Sequence, residues 1–390
     1  MIIGMLEYPV NKLKEIPTPY YLYDTQLLHE TLQLVKKESE RYGYFIHYAV
    51  KANANERIMK IIRDYGFGAD CVSGNEIQRA VDTGYNPEHI VFAGVGKSDA
   101  EIEKALDLDI FCFNCESIPE IEVINELAAK QNKKARIALR INPNIDAHTH
   151  HFITTGLEEN KFGINRGDLD TVLDKLKNFR NLELAGLHFH IGSQITDLNA
   201  YKGLCVRVNE IQEWFFSRRV IVEHINVGGG FGVDYEHPDI NRIPDFASFF
   251  KLFKRFLELR PTQTLHFEPG RSVVAQCGAL ITKVLYIKQA VKTKFAIVDA
   301  GMTELIRPAL YNSYHKIENL SRSNGADFYD VVGPVCESSD YFGKLVSLPE
   351  TQRGDLLAIR STGAYGQIMA SGYNLRNPVK DYYTEDIFEK

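Results

Sequence analysis

The sequence predicts an α/β protein, a TIM-like (β/α)8 barrel joined to a mostly β C-terminal domain. Three observations predict it. Eight runs that read as strands alternate with segments of helical periodicity as far as Phe267. After Arg271 the texture changes to strand-like runs without regular intervening helices. The polar residues that are out of place as packing fall where predicted barrel strands end, the face on which such barrels carry their chemistry.

The elements follow in order. Phe45–Val50 opens the barrel as a largely apolar run rich in aromatic and branched residues, the pattern of a strand buried on both faces of a parallel sheet. Gly68–Val72, Ile90–Ala93 and Ile110–Phe113 are the second to fourth strands, and Ala135–Ile141 is the fifth. Leu184–His190, His224–Val227 and Thr264–Phe267 complete the set of eight. Helical periodicity marks Glu56–Tyr65, Asn75–Thr83, Ile118–Lys130 and Leu169–Phe179 between them. Beyond the barrel, Ala279–Ala290, Phe295–Asp299, Asp327–Val332 and Leu356–Ile359 read as strands of the second domain.

Composition narrows the function classes. With 390 residues the length suits two domains, and 44% hydrophobic with 25% charged residues is ordinary for a globular protein. A net charge of −6 leaves no general basic footprint for nucleic acid. No apolar run reaches membrane-spanning length. Met1 to Tyr8 lacks a basic start followed by an apolar core, so the cytoplasm is the expected compartment. Six cysteines are too sparse for a disulfide scaffold. Cys112 and Cys115 have redox or zinc spacing, but they lie in a run that reads as a buried strand with no second pair following, which points to packing.

Lys51 is the most informative residue. It emerges from the apolar run Phe45–Val50, and burial depresses an amine's pKa, which suits a Schiff-base former. A lysine snorkelling from a strand end would look the same in isolation. Three segments downstream set it apart: His188-Phe189-His190-Ile191-Gly192-Ser193-Gln194, Gly228-Gly229-Gly230-Phe231-Gly232 and Glu268-Pro269-Gly270-Arg271. The glycine run permits close backbone approach, and consecutive amides can form an anion-holding nest. Its spacing and its late position differ from a dinucleotide-binding fingerprint. His188 and His190 share a strand face, and His148, His150 and His151 also cluster. Neither group comes with carboxylates at metal-ligand offsets, so no metal is expected.

In this order, the segments resemble the pyridoxal-phosphate-dependent decarboxylases of the alanine-racemase-like fold, and within them the diaminopimelate decarboxylases. The resemblance runs from Thr18-Pro19 to about Asn374. It implies pyridoxal 5'-phosphate on Lys51, with Glu268 at the pyridine nitrogen, His190 stacked on the ring, and Gly229, Gly230 and Ser193 at the phosphate. Pro269, Gly270 and Arg271 complete that motif, and Asp70 and Arg140 match positions around the ring; buried charge pairing is the other reading of those two. Arg307-Pro308-Ala309-Leu310-Tyr311 matches the family's motif, and the resemblance implies that Arg307 and Tyr311, with Arg271, hold the distal carboxylate of the substrate. It also implies that Cys336, from a partner subunit, protonates the carbanion equivalent after carbon dioxide leaves, that Glu337 meets the distal ammonium, and that Tyr365 touches phosphate and substrate. The stretch from Asp146 to Gly163 resembles an active-site loop.

The implied domains are 25–275 for the barrel and 1–24 with 276–390 for the β domain, with Tyr20–Asp24 leading into the barrel. The implied activity is decarboxylation of meso-2,6-diaminopimelate to L-lysine, in a homodimer with shared active sites. A decarboxylase for another amino acid or carboxynorspermidine would not be expected to carry the Arg307/Tyr311 and Cys336/Glu337 pairs, and a binding-only relative needs neither Lys51 nor Cys336. A racemase would need a second base opposite the lysine. Leu375 to Lys390 is shorter and more polar than the closing strand and helix usual in the family.

Overall fold

The computed structural model describes residues 9–145 and 161–388. The chain divides into two compact units, one of Leu32–Gly232 with Asp245–Gly270, the other of Met1–Thr31, Val233–Pro244 and Arg271–Lys390. No described helix is long and apolar enough to cross a membrane.

Strand β1 (Tyr20–Tyr23) belongs to the second unit. The first unit is the barrel. Its parallel strands are β2 (Phe45–Ala49), β3 (Gly68–Cys71), β4 (Ile90–Phe92), β5 (Cys112–Cys115), β6 (Ala135–Arg140), β7 (Leu182–His188), β8 (His224–Asn226) and β9 (Thr264–Phe267). They pair in sequence and close where β9 meets β2, through Phe45 with His266 and Ile46 with Phe267. All eight expected strands are present. Two are displaced: the fourth starts at Cys112 rather than Ile110, and the sixth runs Leu182–His188 rather than Leu184–His190. Neighbour pairing decides this, with Cys112 in register with Val91 and Leu182 in register with Ala135. His190 therefore lies two residues past its strand.

The helices start where local chemistry allows. Asn55 accepts from the amides of Arg57 and Ile58 and starts Glu56–Asp64, which buries Ile58, Met59 and Ile62. Ser73 and Ser117 accept from amides three residues on and start Gly74–Asp82 and Ile118–Lys130. Helix Leu169–Leu176 ends three residues before its expected boundary. Cys112 and Cys115 are buried in β5, where burial pushes both thiols far above the ordinary range, in keeping with packing rather than redox chemistry.

The second unit is mostly β. Its later strands are β10 (Gly278–Gln289), β11 (Lys294–Val298), β12 (Ile317–Asn319), β13 (Asp327–Val332), β14 (Tyr341–Leu348), β15 (Leu356–Ile359) and β16 (Lys380–Tyr383). Hydrogen-bonded neighbours run β12-β15-β10-β11-β13-β14, with β1 also on β10 and β16 on β1. The first strand does join this sheet. The short polar tail supplies both a closing strand and a closing helix: β16 pairs in parallel with β1, and Thr384–Phe388 is helical. Strands β12 and β14, unmarked in the sequence, complete the sheet.

Candidate active site

The barrel unit gathers its unusual polar residues at the C-terminal ends of its strands. Lys51 sits in a tight turn, Val50–Ala52, just after β2, and its Nζ donates to Asp70 Oδ2 at 2.7 Å. Asp70 is on β3 and fully buried. Burial, followed by the charge of Glu268, raises its carboxyl above the usual range against the pull of Lys51.

Glu268 follows β9 directly and is buried. Its Oε1 accepts from Asn114 Nδ2 at 3.1 Å and Asn226 Nδ2 at 2.7 Å, and its Oε2 lies 3.0 Å from His188 Nε2. Burial alone would push this acid up. The electrostatic pull and hydrogen bond of His188, followed by the Lys51 charge, outweigh it and hold Glu268 far below the usual carboxylate range. His190 is driven the other way: burial first, then Arg140 and Lys51, keep its imidazole neutral. Its Nδ1 accepts from the Gly229 amide at 3.3 Å.

The glycine turn follows β8. Gly228 and Gly230 have φ of 69° and 89°, the left-handed region that favours glycine. A Cβ on Gly229 would strike the Glu268 carbonyl, and one on Gly230 the Gly192 carbonyl. Gly270 packs against Ala49 and Ala52, and the Pro269 carbonyl accepts from the Ala49 amide, so the Glu-Pro-Gly turn and the Lys51 turn brace each other. Ser193 is half-buried in the loop after β7. Arg140 ends β6 and pairs with buried Glu116 at 2.6 Å, with Phe162 under its guanidinium at 4.7 Å. Glu116 also accepts from the Gly163 amide at 2.9 Å. His148, His150, His151 and most of the expected active-site loop lie outside the described residues.

The fit to pyridoxal phosphate can be tested on the same atoms. Asp70 Oδ1, Asn114 Oδ1 and His188 Nδ1 are buried without a hydrogen-bond partner among the described residues. Asp70 contacts the Lys51 amine, and Asn114 and His188 contact the ionised Glu268, a set of polar groups that suits a polar heteroaromatic ring bearing an aldehyde. The residues fit the group.

The second unit holds the other predicted residues. Arg271 and Arg307 are both buried, and both donate through Nη1 to the hydroxyl oxygen of Tyr235, at 2.7 and 3.1 Å. Arg307 Nη1 also lies 3.0 Å from His315 Nε2. Tyr365 has φ of 57°, rare for a bulky residue, and its ring lies 4.8 Å from the Arg271 guanidinium carbon. Tyr311 ends the short helix Arg307–Tyr311 and is half-buried. Cys336 and Glu337 are exposed on a braced turn: buried Asp340 accepts from the amides of Val335 and Met302, and Tyr373 donates to Glu337 at 2.9 Å.

Residues 26–275 match the family model for the pyridoxal binding domain of pyridoxal-dependent decarboxylases. The diaminopimelate decarboxylase of Bacteroides thetaiotaomicron is 58% identical over 381 residues, 97% of this chain and 99% of that protein. This chain belongs to the diaminopimelate decarboxylase family. The Helicobacter pylori member is 44% identical over 95% of this chain and 91% of its own length. A crystal structure of the Helicobacter pylori enzyme complexed with L-lysine superposes with a TM-score of 0.92 at 42% identity, covering 97% of this chain and 94% of that one.

Sequence reasoning missed three residues of the barrel unit and two of the second unit that contact predicted ones. Asn114, Glu116 and Asn226 each hold a predicted residue in place. A polar side chain at or just past the end of an apolar strand was the available signal. Tyr235 and His315 carry no such local signal.

Proposed function

We propose that this chain decarboxylates meso-2,6-diaminopimelate to L-lysine and carbon dioxide, the last step of lysine biosynthesis, with pyridoxal 5'-phosphate as cofactor. The observation that carries the reading is the Lys51 amine on Asp70 beside a Glu268 held ionised in the barrel. Lys51 would hold the cofactor through its amine, Glu268 would meet the ring nitrogen, and His190 would cover the ring face. Gly229, Gly230 and Ser193 would take the phosphate, with Tyr365 adding a hydroxyl; Pro269 and Gly270 keep the Glu268 turn in place. When bound, pyridoxal phosphate takes up the electron pair released as carbon dioxide leaves.

The rest of the work falls to the chain. Asp70 keeps Lys51 aligned, and Glu116 aligns Arg140. Arg271, Arg307 and Tyr311 bind the substrate's distal carboxylate, and Glu337 its distal ammonium. Cys336 Sγ delivers the proton that replaces the carboxylate. Its exposure on a braced turn supports a role toward a partner copy, so the enzyme works as a homodimer with shared sites. The barrel unit would serve as the cofactor-binding domain, in place of the 25–275 expected from the sequence, and the second unit as the domain for substrate choice and dimerisation. The cytoplasm is the compartment.

Borohydride treatment of the yellow holoenzyme should fix the cofactor on Lys51, and the enzyme should release lysine from diaminopimelate. Label on another lysine, or preference for ornithine, would overturn the reading. Shared sites are tested by mixing Lys51→Ala and Cys336→Ala chains, each nearly inactive alone. Mixed dimers should regain activity; demonstrated heterodimers without gain would place Cys336 in its own chain's site or outside the mechanism.

A further inference from the structure

Arg307 is 5% exposed, and its hydrogen-bond partners among the described residues are neutral: Tyr235, His315 and, at 3.4 Å, Ser313. The His315 Nδ1–H donates to the Arg360 carbonyl at 2.8 Å, which leaves its Nε2 lone pair for Arg307. Burial and then the Arg307 charge keep that imidazole neutral, its pKa lowered to about 3. Tyr235 sits at the centre. Its one oxygen receives a guanidinium N–H from each of two helices, Arg271–Val274 and Arg307–Tyr311. Its ring lies 5.3 Å below the Arg307 guanidinium carbon and edge-on to His315 at 5.1 Å.

Two guanidiniums converging on one point repel each other. A carboxylate between them would remove the repulsion but cancel the charge a substrate anion needs. A phenol oxygen accepts from both while leaving both charges in place. Burial raises the Tyr235 hydroxyl pKa, yet Arg271 and Arg307 together bring it below the ordinary tyrosine range, as expected for an oxygen polarised from two sides.

We propose that Tyr235 is the positioning residue that aligns Arg271 and Arg307 into one clamp for the substrate's distal carboxylate. This rests on the function proposed above and adds the element that sets carboxylate specificity. Tyr235 acts through the arginines and takes no part in bond breaking.

The test is Tyr235→Phe, which keeps the ring contacts and removes only the oxygen. Cofactor absorbance of the holoenzyme reports that the variant folds. Loss of a hydrogen bond to a charged group predicts a rise in KM for diaminopimelate of about 10-fold or more, with kcat within about 3-fold. L-Lysine keeps the distal carboxylate, so its inhibition constant should rise in step. 1,5-Diaminopentane has the same chain and amines without carboxylates, and its inhibition constant should not move. An unchanged KM for diaminopimelate in the variant overturns the role of Tyr235 alone. Equal weakening of 1,5-diaminopentane overturns it too, because general damage would then explain the effect. A wild type that neither turns over diaminopimelate nor binds L-lysine overturns both this inference and the function beneath it.

Discussion

The two ends of the barrel bury ionisable groups to the same depth and treat them in opposite ways. Glu268, at the C-terminal end, is 6% exposed, and His266, at the N-terminal end, is 4% exposed. Glu268 is held charged by two amides, a histidine and a nearby lysine. His47, His224 and His266 line a cavity of about 1050 Å³ at the other mouth, packed with Phe45 and Phe111. The hydrogen-bond partners of His47 and His266 are neutral. His47 Nδ1 faces the His89 carbonyl at 3.1 Å and so must be its donor, which leaves Nε2 to accept from His266 Nδ1 at 2.8 Å. His266 Nε2 then accepts from the Thr264 hydroxyl at 2.9 Å. One set of neutral tautomers satisfies these three contacts. Burial pushes the groups at both ends toward their neutral forms, and at Glu268 its partners overcome that push.

That contrast is open to direct attack, and the largest effect belongs at the charged end. Lys51→Ala should lower turnover by roughly 10³-fold or more while thermal unfolding shifts little, since the lysine is the attachment point and not core packing. Retained turnover would break the comparison.

The neutral end should show itself in acid. Burial lowers the pKa of all three histidines below 6.5, to about 3 for His224, with neighbouring imidazoles and Arg136 adding to it. The unfolded chain therefore binds protons that the folded chain refuses. Their stability contribution is complete above pH ~6.5 and falls as pH drops toward the folded values, by up to about 1.4 kcal/mol per pH unit for each histidine. Glu268, whose folded pKa lies below its usual 4.5, loses its contribution only in stronger acid. Unfolding midpoints at pH 7.5, 6 and 5 measure this, and a flat profile across that range would contradict neutral burial.

A smaller effect returns to the charged end. Glu268→Gln should keep cofactor absorbance but lower kcat about 10²-fold, because the ring nitrogen loses its anionic partner. Wild-type turnover would remove Glu268 from the mechanism. The smallest change is Thr264→Val, which leaves His266 Nε2 without its donor. It should cost about 1 kcal/mol of stability and leave kcat untouched; altered kcat would join the two ends that the comparison separates.

Lys51, Glu268 and the Gly228–Gly230 run were legible because each is chemically conspicuous where it stands in the chain. His188 was noticed only as a conceivable metal partner, yet it braces Glu268. Tyr235 was not legible. It is one of 20 tyrosines, and its partners lie 36 and 72 residues away in the chain. Nothing local marks the tyrosine that will meet two arginines.

The alternation of strands and helices, the change of texture after Arg271 and the chemical residues at strand ends can all be read along the chain. Each is written in a window of a few residues, where period and residue type carry the information. The closure of Phe45 on His266, the parallel pairing of the C-terminal strand with Tyr20–Tyr23 and the displaced registers of β5 and β7 emerge from long-range packing. It also decided which buried groups carry charge. Pairing and ionisation depend on partners brought together from distant parts of the chain, and a charge is set by the sum of its surroundings, which no short window contains.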